Sequence, residues 1–294
     1  MSALESLTSF YMTGGYETVQ ALTSFDLPAL KKCGQFTIIN CPGITNLDGF
    51  ASLETVNGDL TISNAQIPGA SIKLKTINGF NKLTSITYSL LLEQAASSGD
   101  GLVGYDGPLT SIKGFKNLKT VGAMFNIGGK NLIDISGFAN LESIGQDTRI
   151  ITTGLTGLEG LAKLKSAGLK ESRLIYIQTN TKLTSIKGLA ALADISGIYF
   201  TRNPELKDLQ GLEKIKSMKY GIVLSVNDKL ANIDGLANVE GAINGITISE
   251  NKILSSLCGI TKLIKGGGNT GVYRVSSNAY NPAVDDIKSG KCSN

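Results

Sequence analysis

Apolar residues recur along this chain with a step that changes inside each stretch of two dozen or so residues. The cleanest stretch reads Leu183-Thr-Ser-Ile186-Lys-Gly188-Leu189-Ala-Ala-Leu192-Ala-Asp-Ile195-Ser-Gly-Ile198-Tyr-Phe200-Thr-Arg-Asn203, and the next begins at Leu206. The steps of three suit turning segments, whereas the alternation Ile198, Phe200 is a strand that sends every second side chain inward. The same ending returns as Leu60-Thr61-Ile62, Ile175-Tyr176-Ile177, Ile222-Val223-Leu224 and Ile246-Thr247-Ile248. Aligned on a Gly followed by Phe, Leu or Ile, the units start at Gly49, Gly79, Gly114, Gly137, Gly160, Gly188, Gly211, Gly235 and Gly259. Their spacings are 30, 35, 23, 23, 28, 23, 24 and 24 residues. A degenerate unit precedes them, with Leu22, Phe25 and Asp26-Leu27 in the corresponding slots.

A period in the low twenties is too short for an independent domain and is the signature of a solenoid. The expected fold is a β-solenoid of about ten coils spanning residues 22–278, its strands stacked in parallel. Residues 1–21 and 279–294 are expected to cap the ends, the first with a short helix, because terminal coils otherwise expose sheet edges. The Gly of each Gly-Leu phrase is read as serving a tight backbone turn. Three residues after the last inward strand position an asparagine recurs, at Asn180, Asn203, Asn227, Asn251 and Asn278. Such an amide can satisfy the backbone groups of a buried corner, or form a polar row that faces a ligand. Insertions at residues 65–73 and 93–108 lengthen single coils and should protrude, where recognition residues often sit.

Composition narrows the function. The chain has no histidine, which removes Ser-His-Asp and Cys-His nucleophile systems and the commonest general base and metal ligand. No phosphate-binding glycine loop, EF-hand or CxxC metal pattern is present, so no cofactor is expected and the reading is non-enzymatic. A carbohydrate-active β-helix working with carboxylates is the minor alternative, and Asp208 with Asp234 is its best acid pair. Net charge is +4, yet arginine occurs only at Arg149, Arg173, Arg202 and Arg274, without a basic cluster interleaved with aromatics, so nucleic acid is not an expected partner. The longest apolar runs are strand-sized, so no transmembrane segment is expected. No charged region followed by an apolar run opens the chain, so any export signal is expected to have been removed already or never carried.

The four cysteines fall near the ends. Cys33 and Cys41 lie in the first coil, and Cys258 and Cys292 bracket the last. They are disulfide candidates that would restrain fraying in an oxidising compartment, or else buried thiols acting as small hydrophobes. Strand alternation places Thr37, Thr61, Tyr176, Tyr199, Val223, Thr247 and Arg274 on the outward face. Tyr176 and Tyr199 should stand on neighbouring strands about 4.8 Å apart, with Arg202 nearby and Arg274 farther along. These four are the candidate binding residues, since tyrosine and arginine anchor interfaces. The two tyrosines can equally serve as a cross-strand pair that stabilises the sheet.

The phrases Leu-x-x-Ile-x-Gly-Leu-x-x-Leu-x-x-Ile and Gly58-Asp59-Leu60-Thr61-Ile62-x-Asn64 resemble the receptor L domain and, more broadly, leucine-rich-repeat surface proteins. The resemblance covers residues 22 to 278. It implies a right-handed β-helix-like array, usually extracellular or at the cell surface, that binds protein or glycan or belongs to a cell envelope. It carries no catalytic residues to transfer. The chain lacks the cysteine-rich module of the receptors and has no Asn-x-Ser/Thr glycosylation acceptor. A recognition or adhesion module is the resulting expectation; a self-associating envelope or fibre subunit is the alternative.

Overall fold

The computed structural model describes residues 4–14, 21–63, 72–93, 107–168 and 174–294. Most of both insertions, residues 65–71 and 94–106, lies outside the described residues. The chain forms two compact units, Met1–Ile144 with Arg149–Gly154, and Gly145–Thr148 with Leu155–Asn294. Each is a parallel β-solenoid.

In the first unit, strands β1 (Ser6–Thr13), β2 (Lys32–Ile39), β3 (Leu60–Ser63), β4 (Leu90–Glu93) and β5 (Phe125–Gly129) pair in parallel, each with the next. The register puts Phe36, Leu60, Leu90 and Phe125 in one column and Ile38, Ile62, Leu92 and Ile127 in another, and all eight are buried. The steps of three have a direct cause. Phe50 N–H donates to Leu47 O and Leu53 N–H to Phe50 O, at 3.2 and 3.1 Å. Turns closed over three residues bring every third side chain to the same side, and Leu47, Phe50, Leu53 and Val56 are all buried. Stacked coils therefore build an aromatic column, in which Phe80 lies 6.0 Å from Phe50 and 5.0 Å from Phe115, and Phe115 lies 5.2 Å from Phe138.

The expected N-terminal helix is absent from the described residues: residues 6–13 are a strand on the edge of β2. The physical reason is the alternation of Phe10 and Met12. A strand in register sets Phe10 opposite Phe36, their rings stacked at 5.0 Å, while a helix there would leave the β2 edge bare.

In the second unit, β6 (Ile175–Gln178), β7 (Gly197–Thr201), β8 (Gly221–Ser225), β9 (Ile243–Ser249) and β10 (Asn269–Ser276) repeat the pattern. Here the slot after the repeat glycine holds Leu189, Leu212, Leu236 or Ile260, all buried. The asparagine row faces inward. The backbone N–H groups of Asn180, Asn203, Asn227 and Asn251 each donate to the side-chain oxygen of the next asparagine in the row, at 3.0–3.1 Å, ending on Asn278. These four are fully buried, which removes the ligand-facing alternative for them. The residues just before the row, Thr179, Arg202, Val226, Glu250 and Ser277, all adopt φ of 56–58°. Each coil thus turns its corner through a left-handed residue whose cost the amide ladder helps offset.

Five of the repeat glycines have a different role from the one expected, while Gly211, at φ 113°, does adopt a backbone conformation that favours glycine. Among Gly49, Gly79, Gly188, Gly235 and Gly259 none has positive φ. A Cβ at any of them would instead stand 1.8–2.0 Å from a carbonyl oxygen of the preceding coil. Close approach of coil to coil, not turn geometry, demands glycine. Gly235→Ala should therefore cost about 1–3 kcal/mol or more through overpacking. Gly241→Ala, with nothing within 4 Å of its Cβ, should cost less despite its φ of 81°. Urea titrations of both variants compare the two causes directly.

The C-terminal cap carries the helices, α1 (Thr261–Lys265) and α2 (Val284–Lys288), packed on one another. Ile287 is buried, and Cys258 and Cys292 form a disulfide. Leu257 N–H donates to Cys292 O at 2.8 Å and Tyr273 donates its phenol to Pro282 O at 2.8 Å. Burial of that phenol, aided by the charge of Asp286, pushes its pKa up to about 12. Cys33 and Cys41 are not bridged: both are buried thiols, turned to the Gln35 and Ile39 carbonyls. Burial raises both thiol pKa values, the condition of unreactive core cysteines.

Candidate functional site: the outward face of the second unit

Strand register assembles three rows of outward residues on this face. The central row is Tyr176, Tyr199, Val223, Thr247, Arg274. Beside it runs Gln178, Thr201, Ser225, Ser249, Ser276. On the other flank lie Gly197, Gly221, Gly245 and Val272, the last 55% exposed. These rows hold no carboxylate and a single charge, Arg274.

Two of the four sequence-derived binding residues meet. Tyr176 and Tyr199 are register partners with ring centroids 5.4 Å apart, tilted by 43°, and both are half-exposed. Arg274 stands exposed in the same row, roughly 14 Å beyond Tyr199 at the inter-strand spacing. Arg202 does not join them on the strand face. It sits at the left-handed corner with φ 56°, its N–H donating to Ser225 O at 3.0 Å, because the corner follows the strand end by a fixed number of residues. In the first unit the corresponding row is Tyr11, Thr37, Thr61, Leu91, Asn126. Thr37, expected to be exposed, is buried at 4%; it is a short side chain between strands paired on both sides, one of them the unforeseen β1.

The glycine row and its cavity were not anticipated. Over Gly221 and Gly245 the face carries no side chain of its own and an open cavity of about 180 Å³ forms above the backbone, while the Leu174 side chain lies against Gly197. Leu174, Tyr220, Val223, Asn244 and Thr247 line it. Coil packing demands these glycines too, since a Cβ at Gly197 or Gly221 would lie 2.6 Å from a carbonyl of the next coil. The signal was in the sequence as Gly197-Ile198, Gly221-Ile222 and Gly245-Ile246, a Gly-Ile pair recurring in β7, β8 and β9 with a period of 24. At the cavity's rim the pairing of β9 with β10 slips between Ile243 and Gly245. The extra residue is on β10, where Thr270 and Gly271 together face Asn244; a bulge bends the strand that carries it.

Acid chemistry finds less support. Asp208 accepts the Gln210 N–H at 3.0 Å in a local turn, and Asp234 opens a short helical turn as an exposed residue. Among the described residues no group of three or more Cys, Asp or Glu side chains could hold a metal, and no helix is long and apolar enough to cross a membrane.

The fold and face define a parallel β-solenoid repeat protein with an outward sheet surface rich in hydroxyls, glycine and tyrosine. The chain matches no protein-family model and no curated protein.

Proposed function

We propose that this chain is a non-enzymatic recognition or adhesion module, extracellular or at the cell surface, of the receptor L-domain or leucine-rich-repeat kind. It binds a protein or glycan ligand through the outward sheet face of its second unit. The observation that carries this reading is the row from Tyr176 to Arg274: adjacent, partly exposed tyrosines on a paired sheet, flanked by hydroxyls, with no carboxylate among the five residues of the row. Aromatic residues held by the scaffold give contact area at little entropic cost. The disulfide at the cap supports an oxidising compartment.

The expected result is that Tyr176→Ala and Tyr199→Ala each weaken ligand capture by at least about 2 kcal/mol. Melting temperature should shift little. Arg202→Ala, at the corner, should weaken capture less. Binding measured by surface plasmon resonance on captured ligands from a glycan array and an ectodomain library checks this; tyrosine variants that lose stability but keep binding would show a purely structural pair.

A second reading, a structural envelope or fibre subunit, is favoured by the exposure of β10, with Val272 and Arg274 open to solvent, since an uncovered edge strand invites pairing with another chain. Light scattering that rises with protein concentration toward polymers would favour it.

A further inference from the structure

Resting on the sheet-face reading, we infer that the glycine-floored cavity between Tyr220 and Thr247 is a subsite for one ring of a neutral glycan, the rest of the chain lying along the row toward Tyr199 and Tyr176. Size is the first argument. The cavity, open and about 180 Å³ in volume, has room for a single sugar ring.

Chemistry is the second. The cavity mixes an aromatic ring, Tyr220, and the apolar side chains of Leu174 and Val223 with the amide of Asn244 and the hydroxyl of Thr247. Neither of those two polar side chains has a hydrogen-bond partner among the described residues. A pyranose presents the complementary pair of surfaces, an apolar C–H face for the ring and a rim of hydroxyls that both donate and accept. An amide and a hydroxyl likewise do both. None of the lining residues is charged, and the flanking cations, Lys219 with its Nζ 5.6 Å from the Tyr220 ring centroid and Arg274 opposite Thr247, stand outside the lining. Arg274, the one charge of the row, stands on the strand beyond Thr247.

Geometry is the third. The missing side chains at Gly221 and Gly245 let a ring descend to the backbone. Asn244 stands opposite the register slip, where a Cβ on Gly271 would lie against its backbone carbonyl, so the two strands approach closely beside the rim. The neighbouring row continues with the partly exposed Ser249, Ser225 and Gln178 in the direction of the tyrosines. A peptide would instead seek an open strand edge, where main-chain groups are free, and this cavity lies over strands paired on both sides.

The test is a titration of the full chain with soluble neutral oligosaccharides of glucose, mannose, galactose and N-acetylglucosamine, with sulfated and uronic-acid oligosaccharides in parallel. Intrinsic tyrosine fluorescence reports binding without tryptophan background, since the chain has none, and amide chemical shifts locate it. The expected result is saturable binding of at least one neutral series, with shifts centred on Tyr220 and Gly245. Asn244→Ala and Thr247→Val should each weaken it roughly tenfold, with unchanged circular dichroism. The amide shifts of the unmodified chain keep the test decisive if a variant misfolds. Absence of neutral-glycan binding, binding only to acidic oligosaccharides, or binding indifferent to both cavity variants would overturn the inference. If a protein or acidic glycan is captured and lost with Tyr176→Ala but not with the cavity variants, the sheet-face reading stands and the neutral-sugar subsite falls. If a neutral sugar is lost with the cavity variants while Tyr176→Ala and Tyr199→Ala bind normally, the subsite stands and the wider face does not.

Discussion

Asn227→Ala should destabilise the second unit by about 2–5 kcal/mol, because it removes the centre of a fully buried amide ladder. The Asn227 side-chain oxygen accepts both the backbone N–H and the amide of Asn203, and its own amide donates to Phe200 O and to the Asn251 side chain. Alanine leaves at least the Asn203 N–H and the Phe200 carbonyl without these partners in a place water does not reach. The adjacent corner is strained as well, since Val226 is β-branched and sits at φ 57°. Asn227→Asp should give no rescue: it keeps the acceptor, loses both donors and buries a charge. Asn281→Ala, at the exposed end of the same ladder, should cost about 1 kcal/mol or less, as water replaces the lost amide. Denaturant titrations of the three variants give the comparison. Equal midpoints for Asn227→Ala and Asn281→Ala would mean the ladder does not support the coils.

In the first unit, Phe80→Ala should cost about 3–5 kcal/mol. The Phe80 ring is fully buried and contacts Phe36 edge-on at 5.4 Å, with Phe50 and Phe115 stacked on its two sides at 6.0 and 5.0 Å. Its loss opens a cavity that rings held in adjacent coils cannot fill by collapse. Phe80→Leu should cost less, about 1–2 kcal/mol, since Leu189, Leu212 and Leu236 occupy the equivalent slot of the second unit without disturbing the repeat. Because each coil touches mainly its neighbours, hydrogen exchange should accelerate most in the coils that carry Phe50 and Phe115 and fade along the unit. Uniform acceleration throughout the unit would instead mark one cooperative core.

What could be read from the sequence alone was whatever repeats within a coil. The three-residue step from Leu183 to Ile195 and the alternation at Ile198 and Phe200 are local consequences of tight turns and of a strand, so the parallel solenoid, the inward asparagines and the Tyr176–Tyr199 pairing follow from periodicity. What depended on the next coil could not be read that way. Glycine at 49, 79 and 235 looked like a turn requirement and proved to be a requirement of inter-coil distance, set by a carbonyl of the preceding coil. Cys33 and Cys41 looked pairable by position but are held apart as core thiols, while Cys258 and Cys292 are joined by the fold of the cap. Residues 6–13 became a strand because β2 offered an edge and Phe36 a ring to stack on. Arg202 was carried off the face by the left-handed corner, and the cavity over Gly221 and Gly245 exists only where three side-chain-free positions stand in register. Local backbone geometry is encoded residue by residue; the distance and register between stacked coils are collective, and they decide which side chains meet.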